Sequence, residues 1–171
     1  MGKLVERTSQ VGDFGPITSY QLHHFSDASQ VAYGAVSYLW LVNTRQEVQC
    51  SFVMGKSRLS PLKPMAIPRM ELSATVLSTR LDRIIRKEID FAINDSVFWT
   101  ESTCVLRYVA KEETRHKTFV GNRVSAIREQ SSSSQWKYVG TKANPANDAS
   151  RGLPAEASAS SNRWNRGPTF L

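Results

Sequence analysis

The order of hydrophobic and polar positions predicts three consecutive strands in the first third of the chain. Residues 19–25 form a short apolar segment, and residues 31–42 are rich in aromatic and β-branched residues on both faces. The second pattern is typical of a central strand that is covered on both sides. Residues 43–46 suit a turn, and residues 47–54 suit a third strand. Because the turns are short, we expect an antiparallel meander.

A long helix is predicted over residues 69–88, where the hydrophobic period changes from two to about 3.6. A basic loop with three prolines, residues 55–68, precedes this helix. Pro68 suits the first helical position, where its missing N–H costs no hydrogen bond. The apolar positions recur at steps of three and four residues and form one stripe, made of Met70, Ala74, Leu77, Leu81 and Ile84.

Strands and helices alternate in the second half of the chain. The pattern predicts a strand, two helices and a strand, at residues 95–100, 102–111, 119–130 and 135–139. A last helix follows, with Asn144 as its N-cap, Pro145 at its first position and Gly152 just past its end. A mixture of strands and helices in this order predicts an α/β fold.

The chain is long enough for one domain with its own hydrophobic core. It has 171 residues, of which 40% are hydrophobic and 22% are charged, as in ordinary globular proteins. The predicted elements place the domain at residues 19–152. A flexible lead-in at residues 1–18 and a C-terminal tail at residues 153–171 are expected on either side.

The sequence indicates neither a membrane segment nor a secretion signal. No apolar run approaches the ~18–20 residues that span a bilayer, and residues 1–6 contain no apolar core of a signal peptide. Cys50 and Cys104 match no zinc-site spacing, and we expect reduced thiols packed in or near a core. An intracellular protein, in the cytoplasm or nucleus and without a membrane partner, is therefore expected.

The charge of the chain favours an anionic partner. There are 22 Lys and Arg residues against 15 Asp and Glu residues, which gives a net charge of +7. Nucleic acid is the first candidate and an acidic membrane the second. A solvated basic face is the alternative to phosphate binding for the candidate contact residues, which are Lys56, Arg58, Lys63, Arg69, Arg107, Lys111, Arg115 and Lys117.

Four acidic or amide residues stand where predicted elements end or begin. Asp27 follows the first strand, Glu71 lies in the first turn of the long helix, and Glu101 follows the fourth strand. Asn147 lies in the first turn of the last helix. Ligands of α/β sheets bind at the carboxyl ends of strands, so Asp27 and Glu101 would meet there if strands one and four are neighbours. Converging carboxylates hold hard cations such as Mg²⁺.

Four segments of this sequence resemble the ribonuclease H segment of BEL/Pao-type retrotransposon polyproteins. They are LHHFSDASQVAYGAVSYL, GKSRLSPLKPMAIPRMEL, FWTESTCVLRYV and NPANDASRGL, in the family's order. The resemblance implies a ribonuclease H-like α/β fold, with a mixed five-stranded sheet in the order 3-2-1-4-5 and helices on both faces. It also implies cleavage of RNA in RNA/DNA hybrids, with two Mg²⁺ (or Mn²⁺) ions held by four acidic residues.

Two of the family's four acidic residues are present in this sequence, and the other two positions are altered. Asp27 in SDAS and Glu71 in PRMEL match the family pattern, which makes them catalytic and metal-binding candidates. Glu101 stands where the family has Asp within WTDST, and it is the third candidate. Asn147 stands at the altered fourth metal position, where the family has Asp within NPADxASRG. Asp148 follows the position of the family's aspartate by one residue, and one step along a helix rotates a side chain by about 100° around the axis.

Each of these residues also has a purely structural interpretation. Asp27 suits an Asx-type turn, Glu71 suits the positive end of a helix, and Glu101 suits a solvated loop. Gly34 allows either a nucleic-acid backbone or a packed neighbour to approach closely. His23 and His24 are excluded as ligands of one metal, because adjacent residues of a strand point to opposite faces.

Three functional hypotheses remain open. The first is a metal-dependent endoribonuclease for RNA/DNA hybrids, impaired by Glu101 and Asn147. The second is a non-catalytic nucleic-acid-binding remnant of a retroelement. The third is a protein-interaction fragment of a polyprotein, with other retroelement domains as partners. The changed pair of acidic positions favours weakened catalysis, since the other motifs of the fold stand intact.

Overall fold

A mixed β-sheet forms the centre of the fold in the computed structural model, which describes residues 13–111, 115–152 and 162–171. Within these residues the sheet has five strands, in the order β3-β2-β1-β4-β5. The strands are β1 (Ile17–Ala28), β2 (Ala32–Asn43), β3 (Val48–Leu59), β4 (Asp95–Thr100) and β5 (Trp136–Tyr138). β1–β3 form an antiparallel meander, whereas β4 pairs parallel with both β1 and β5. The expected sheet order is confirmed.

Helices cover both faces of the sheet, as expected. They are α1 (Ile67–Glu88), α2 (Thr103–Ala110), α3 (Thr118–Gln130), α4 (Ala146–Arg151) and α5 (Asn162–Arg166). On one face, Leu77 and Leu81 of α1 pack with Leu22 of β1 in one buried cluster. On the other face, Phe25 of β1 packs with Ala146 of α4 in a second cluster. The alternation of side chains along β1 thus supplies both cores.

Helix α1 begins at Ile67, two residues earlier than the sequence pattern predicts. The carbonyl of Ala66 accepts hydrogen bonds from the backbone N–H groups of Arg69 (3.0 Å) and Met70 (3.2 Å), which closes the first turn. The prediction that Pro68 is the first helical residue is therefore wrong by one position. Glu71 correspondingly lies in the second turn rather than the first.

Strand β3 extends to Leu59, beyond the predicted end at residue 54. Lys56 and Arg58, expected in a loop, therefore lie in a strand and pair with Ala35 and Tyr33 of β2. The sequence pattern obscured this because β3 is an edge strand, whose last residues are exposed and polar. The two basic residues are separated by one position, so they share one face of the sheet.

Two segments outside the expected domain make contacts with the sheet. Asn43 Nδ2 donates a hydrogen bond to the Phe14 carbonyl (2.5 Å), and β1 begins at Ile17 rather than residue 19. Near the other end, Trp164 stacks beside Phe52 with ring centroids 5.3 Å apart. Residues 13–18 and 162–171 are thus tied to the fold, while residues 1–12 and 153–161 lie outside the described residues.

Both cysteines are free thiols. Cys50 is half-buried, and burial raises the pKa of its thiol to about 12. Cys104 is exposed near the start of α2, so the expectation that it packs in or near a core is wrong. Its position lies on the solvent side of a short helix that buries Val105 and Val109 instead. Among the described helices, none is long and apolar enough to cross a bilayer.

The adjacent histidines of β1 lie on opposite faces, as predicted. His24 is fully buried on the α1 side, where its Nε2 lies 3.0 Å from Asp82 Oδ1. His23 lies on the other side, and its Nδ1 accepts a hydrogen bond from Trp99 Nε1 (3.0 Å). Burial is the main cause that lowers the pKa of both imidazoles, to about 4 for His23. Both rings are therefore neutral core groups at neutral pH.

Gly34 is required by the close packing of α4 on β2. A Cβ at this position would lie 2.8 Å from the Cβ of Ala149 and 3.1 Å from the Lys56 carbonyl oxygen. The structure thus favours packing over nucleic-acid approach as the role of Gly34. We expect Gly34→Ala to lower the free energy of unfolding by about 1–3 kcal/mol, because the helix must move away.

Urea unfolding followed by circular dichroism measures this change. Gly140→Ala is the matched control, since a Cβ at Gly140 meets nothing within 4 Å. Equal stability of the two variants would contradict the packing role of Gly34.

Candidate active site

Asp27 and Glu101 lie near each other because they stand at the carboxyl ends of two neighbouring parallel strands. The prediction that Asp27 follows the first strand is wrong, because β1 continues to Ala28 and pairs Asp27 with Gly34 of β2. The last paired residues of β1 and β4 are Ser26 and Thr100. Asp27 and Glu101 come directly after them, at the carboxyl edge where α/β sheets place their ligands. The condition stated from the sequence, that the first and fourth strands are neighbours, is fulfilled.

The Asp27 carboxyl is buried among polar groups of three elements. The residue is only 3% exposed, and Glu101 is close enough to act on its carboxyl. Burial, followed by the hydrogen bond and negative charge of Glu101, raises the pKa of Asp27 to about 7. The Ser150 hydroxyl donates to Asp27 Oδ2 and, with the positive charge of Arg151, opposes that rise. Because the two carboxyl groups lie close together, the ionisation of one disfavours the ionisation of the other.

Glu71 approaches the same edge from α1. Burial raises the pKa of its carboxyl, a hydrogen bond with Ser102 lowers it, and the negative charge of Glu101 raises it further. The Ser102 side chain also accepts a hydrogen bond from the Val105 N–H (3.3 Å), which caps α2. Glu101 thus interacts with Asp27 on one side and Glu71 on the other.

Asn147 occupies the second position of α4, near the start that the sequence predicts. Its Nδ2 donates a hydrogen bond to the Thr141 carbonyl (2.6 Å). Asn144 connects this helix to the sheet, because its Nδ2 donates to the Ser26 carbonyl (3.1 Å) while its Oδ1 accepts from the Ala146 N–H (3.1 Å). The prediction that Asn144 is the N-cap and Pro145 the first helical residue is wrong by one position, because the helix begins at Ala146 with Pro145 as its N-cap. The bond from Asn144 to the Ser26 carbonyl nevertheless ties the start of α4 to β1 beside Asp27.

The donor atoms at this edge suit a hard divalent cation. Among the described residues, Glu101 Oε2 and Asn147 Oδ1 are buried side-chain oxygens without a hydrogen-bond partner. Carboxylate and amide oxygens of this kind coordinate Mg²⁺ or Mn²⁺. Within residues 13–111, 115–152 and 162–171, however, no group of three His, Cys, Asp or Glu side chains is placed to hold a metal ion. The carboxylates interact in pairs, and their ligand roles stay predictions.

The basic residues predicted to bind nucleic acid are all exposed. They lie on β3, in the following loop and around α2 and α3, at Lys56, Arg58, Lys63, Arg107, Arg115 and Lys117. Arg69 lies in the first turn of α1, and its guanidinium is 5.2 Å from the ring centroid of Phe119. Their side chains are therefore open to solvent, and their contacts with nucleic acid stay a prediction.

Ser150 is a residue of this site that the sequence reasoning used only to fix the alignment register. It is 1% exposed, and its Oγ touches both the Asp27 carboxyl and the Asn147 carbonyl (3.2 Å). The spacing of three residues between Asn147 and Ser150 places them on one face of a helix, and this spacing was the available signal. Ser150 therefore orients Asp27 from α4.

We expect Ser150→Ala to raise the pKa of Asp27 further, because the hydroxyl donates to the charged form. The folded-state pKa of Asp27 already lies above its usual value of 3.8. The protonated carboxyl therefore stabilises the cation-free fold at low pH, and this contribution is lost as the pH rises toward about 7. In Ser150→Ala the loss should extend to higher pH.

Carboxyl ¹³C NMR titration measures this change directly. Ser133→Ala, at an exposed serine of the helical turn before β5, is the control and should leave the Asp27 titration unchanged. An unaltered titration in Ser150→Ala would show that the hydroxyl does not act on Asp27.

The sheet order and the helices on both faces define a ribonuclease H-like domain. The N-terminal ribonuclease H domain of Rv2228c from Mycobacterium tuberculosis, solved as a fusion with maltose-binding protein, has a similar fold. The TM-score is 0.51 at 13% identity, and the match covers 82% of this chain and 99% of that chain.

The model of the Pao retrotransposon-like RNaseH-like domain matches residues 4–102 of the sequence. The match covers more than half of the 171 residues, and the chain belongs to this family. The family identified from the sequence motifs is thereby confirmed. Among curated protein sequences, none matches this chain.

Two other solved structures are similar with lower scores. RNase H1 from the halophilic archaeon Halobacterium salinarum NRC-1 gives a TM-score of 0.45 at 12% identity, over 84% of this chain and 100% of that chain. LC11-RNase H1, solved in complex with an RNA/DNA hybrid, gives a TM-score of 0.48 at 8% identity, over 82% and 99% of the two chains.

Proposed function

We propose that this domain cleaves the RNA strand of RNA/DNA hybrids in a metal-dependent reaction, and that Glu101 and Asn147 weaken the activity. The observation that carries the proposal is the contact between Asp27 and Glu101 at the carboxyl ends of β1 and β4. Carboxylates placed together in a buried site are suited to holding cations rather than to pairing with each other. Membership in the retrotransposon ribonuclease H family supports the choice of substrate.

Each residue of the site has a defined task in this proposal. Asp27, Glu71 and Glu101 would hold two Mg²⁺ or Mn²⁺ ions, which supply activation of a water and stabilisation of the leaving 3′ oxygen. Ser150 keeps the Asp27 carboxyl oriented through its hydrogen bond. Asn147 offers a neutral amide oxygen, so it contributes no negative charge at the fourth position. The exposed basic residues would hold backbone phosphates.

A gel assay on a hybrid with labelled RNA, first with Mg²⁺ and then with Mn²⁺, tests the proposal. We expect slow cleavage that yields a 3′ hydroxyl and that disappears in Asp27→Asn. Asp90→Asn, at an exposed residue after α1, is the control. Cleavage that persists in Asp27→Asn would refute the assignment of the site.

A non-catalytic nucleic-acid-binding module is the second candidate. It is favoured by one observation, which is that no group of three metal-ligand side chains forms within the described residues. Both candidates predict binding to RNA/DNA hybrids with little sequence preference. The partners of a polyprotein fragment, such as other retroelement domains, stay a prediction from the sequence.

We expect hybrid binding to be strongly salt-dependent, because phosphate contacts release counterions. A protein with about 6–10 such contacts loses roughly 10³–10⁵ in affinity between about 50 and 200 mM salt. Fluorescence anisotropy of a labelled hybrid, measured across this range, gives the slope. Equal affinity at both salt concentrations, or no binding at low salt, would exclude a nucleic-acid role of either kind.

A further inference from the structure

A polar pocket of about 230 Å³ lies between α1 and α3, away from the carboxylates of the candidate active site. Polar and cationic side chains dominate its lining, which consists of Tyr33, Ser73, Val76, Arg80, Asn122, Arg123 and Ala126. The α1 residues recur at steps of three and four, and Ala126 of α3 follows Asn122 by four positions and Arg123 by three, so each helix contributes one face. The pocket is therefore a groove between two packed helices.

The groove carries two positive charges and no negative one. Neither Arg80 nor Arg123 forms an ion pair with a carboxylate in the part of the chain that the structure describes. Burial is the main cause that lowers the pKa of Arg123; Tyr33 opposes this change, and the positive charge of Arg80 adds to it. Two guanidinium groups that repel each other would be stabilised by a bound anion.

The guanidinium of Arg123 is held in place before any ligand binds. Its Nε donates a hydrogen bond to Ser73 Oγ (3.1 Å), and its Nη1 donates to the Phe119 carbonyl (3.2 Å). Its central carbon lies 3.4 Å from the ring centroid of Phe119, which is a close cation–π contact. A fixed guanidinium loses less conformational entropy on binding than a free one, and its planar fork matches the oxygens of a phosphate.

The groove lies next to one of the basic residues predicted to bind nucleic acid. Tyr33, which lines the groove, is the cross-strand partner of Arg58, so the two side chains are neighbours on the same face of the sheet. Arg80 lies about 13 Å along α1 from Glu71 and half a turn around it, so the groove and the acidic edge are on different sides of this helix. A polyanion that contacts Arg58 would therefore pass the groove.

We propose that the groove between α1 and α3 binds a backbone phosphate of the nucleic acid, with Arg80 and Arg123 as its ligands. This proposal rests on the proposed function, because it names a second place where the same substrate is held. It adds a contact that the sequence did not indicate, since neither arginine stands in a basic run. Arg80 is exposed and adaptable, whereas Arg123 is fixed, so the groove provides one mobile and one rigid donor.

The test compares Arg80→Gln with Arg83→Gln in hybrid binding by fluorescence anisotropy. Both arginines are exposed and lie on α1, but only Arg80 lines the groove. We expect Arg80→Gln to weaken binding on the order of tenfold at about 50 mM salt. We also expect it to reduce the slope of log affinity against log salt by about 0.9, the value for one phosphate contact. Arg83→Gln should change the slope much less.

Inorganic phosphate is the second probe. Its binding is monitored through the backbone amide NMR shifts of Ser73, Asn122 and Arg123, in the wild-type protein and in Arg80→Gln. Shifts that are lost in Arg80→Gln, together with weaker hybrid binding, support the proposal. Equal hybrid binding by the Arg80 and Arg83 variants overturns it, even if free phosphate still binds the groove, and leaves the proposed function intact. No hybrid binding by the wild-type protein at low salt refutes the proposed function itself.

Discussion

Changing Glu101→Asp together with Asn147→Asp is expected to raise the rate of hybrid cleavage in Mg²⁺ on the order of 10²-fold. Glu101 carries one methylene more than Asp, which displaces its carboxylate by about 1 Å, and errors of this size in a site cost about 10²-fold in rate. Asn147→Asp supplies a negative charge beside Asp27, where a second cation requires it. Single-turnover cleavage of a labelled hybrid measures the gain.

The controls for this experiment separate the acidic positions from the rest of α4. Asp148→Asn should change little, because the groups that act on the Asp27 carboxyl are Glu101, Ser150 and Arg151. Full activity of the unaltered protein that is lost in Asp148→Asn would show that the alignment register at α4 is wrong. A double variant that binds hybrid normally and stays inactive would show that the defect lies elsewhere.

Asp82→Ala is expected to lower the free energy of unfolding by about 3–5 kcal/mol, the cost of breaking a buried charged network. Asp82 accepts hydrogen bonds from His24 Nε2 (3.0 Å), from the Ser96 hydroxyl and from Arg86 Nε (3.1 Å). Burial raises the pKa of Asp82, but the hydrogen bonds from His24 and Ser96 and the positive charge of Arg86 outweigh this effect and hold the pKa below its usual value. Removing the carboxylate leaves buried donors without an acceptor.

Urea unfolding at neutral pH measures this loss. Asp90→Ala is the matched control, because Asp90 is exposed and such substitutions usually change stability by less than about 0.5 kcal/mol. A loss below about 1 kcal/mol in Asp82→Ala would contradict the structural role of the network.

The sequence pattern predicted elements well where burial dominates the local sequence. β2 is buried along nearly all of its length, as its apolar residues on both faces indicated. The apolar stripe of α1 was correct except at its end, where Ile85 rather than Ile84 is the buried residue. Such patterns report the surroundings of a single segment. They do not report which strands are neighbours, and the sheet order came from the family motifs.

Contacts between residues distant in sequence tie both ends of the described chain to the sheet. Trp40 Nε1 donates a hydrogen bond to the Leu171 carbonyl (2.7 Å), so the end of the chain packs on β2. Nothing in the Ala- and Ser-rich sequence before Trp164 indicates that return. Similarly, the first residues of β1 are held by Asn43 in the turn after β2.

The sequence predicted the residues of the candidate site and the approach of Asp27 to Glu101, but not the other contacts of these side chains. The motifs identified Asp27, Glu71, Glu101 and Asn147, whereas the hydrogen bond from Ser150 to Asp27 joins residues that are 123 positions apart. The groove of Arg80 and Arg123 likewise depends on how α1 packs against α3. Contacts of this kind depend on how distant elements pack together, and the local sequence pattern does not report that packing.

Titration of the Asp27 carboxyl with and without Mg²⁺, followed by ¹³C NMR, tests most directly whether the pair of Asp27 and Glu101 is a cation site. Without the cation, the pKa of Asp27 should be about 7. Because a cation and a proton compete for the same oxygens, Mg²⁺ should lower this pKa well below 7. An Asp27 pKa that is the same with and without Mg²⁺ would contradict the account.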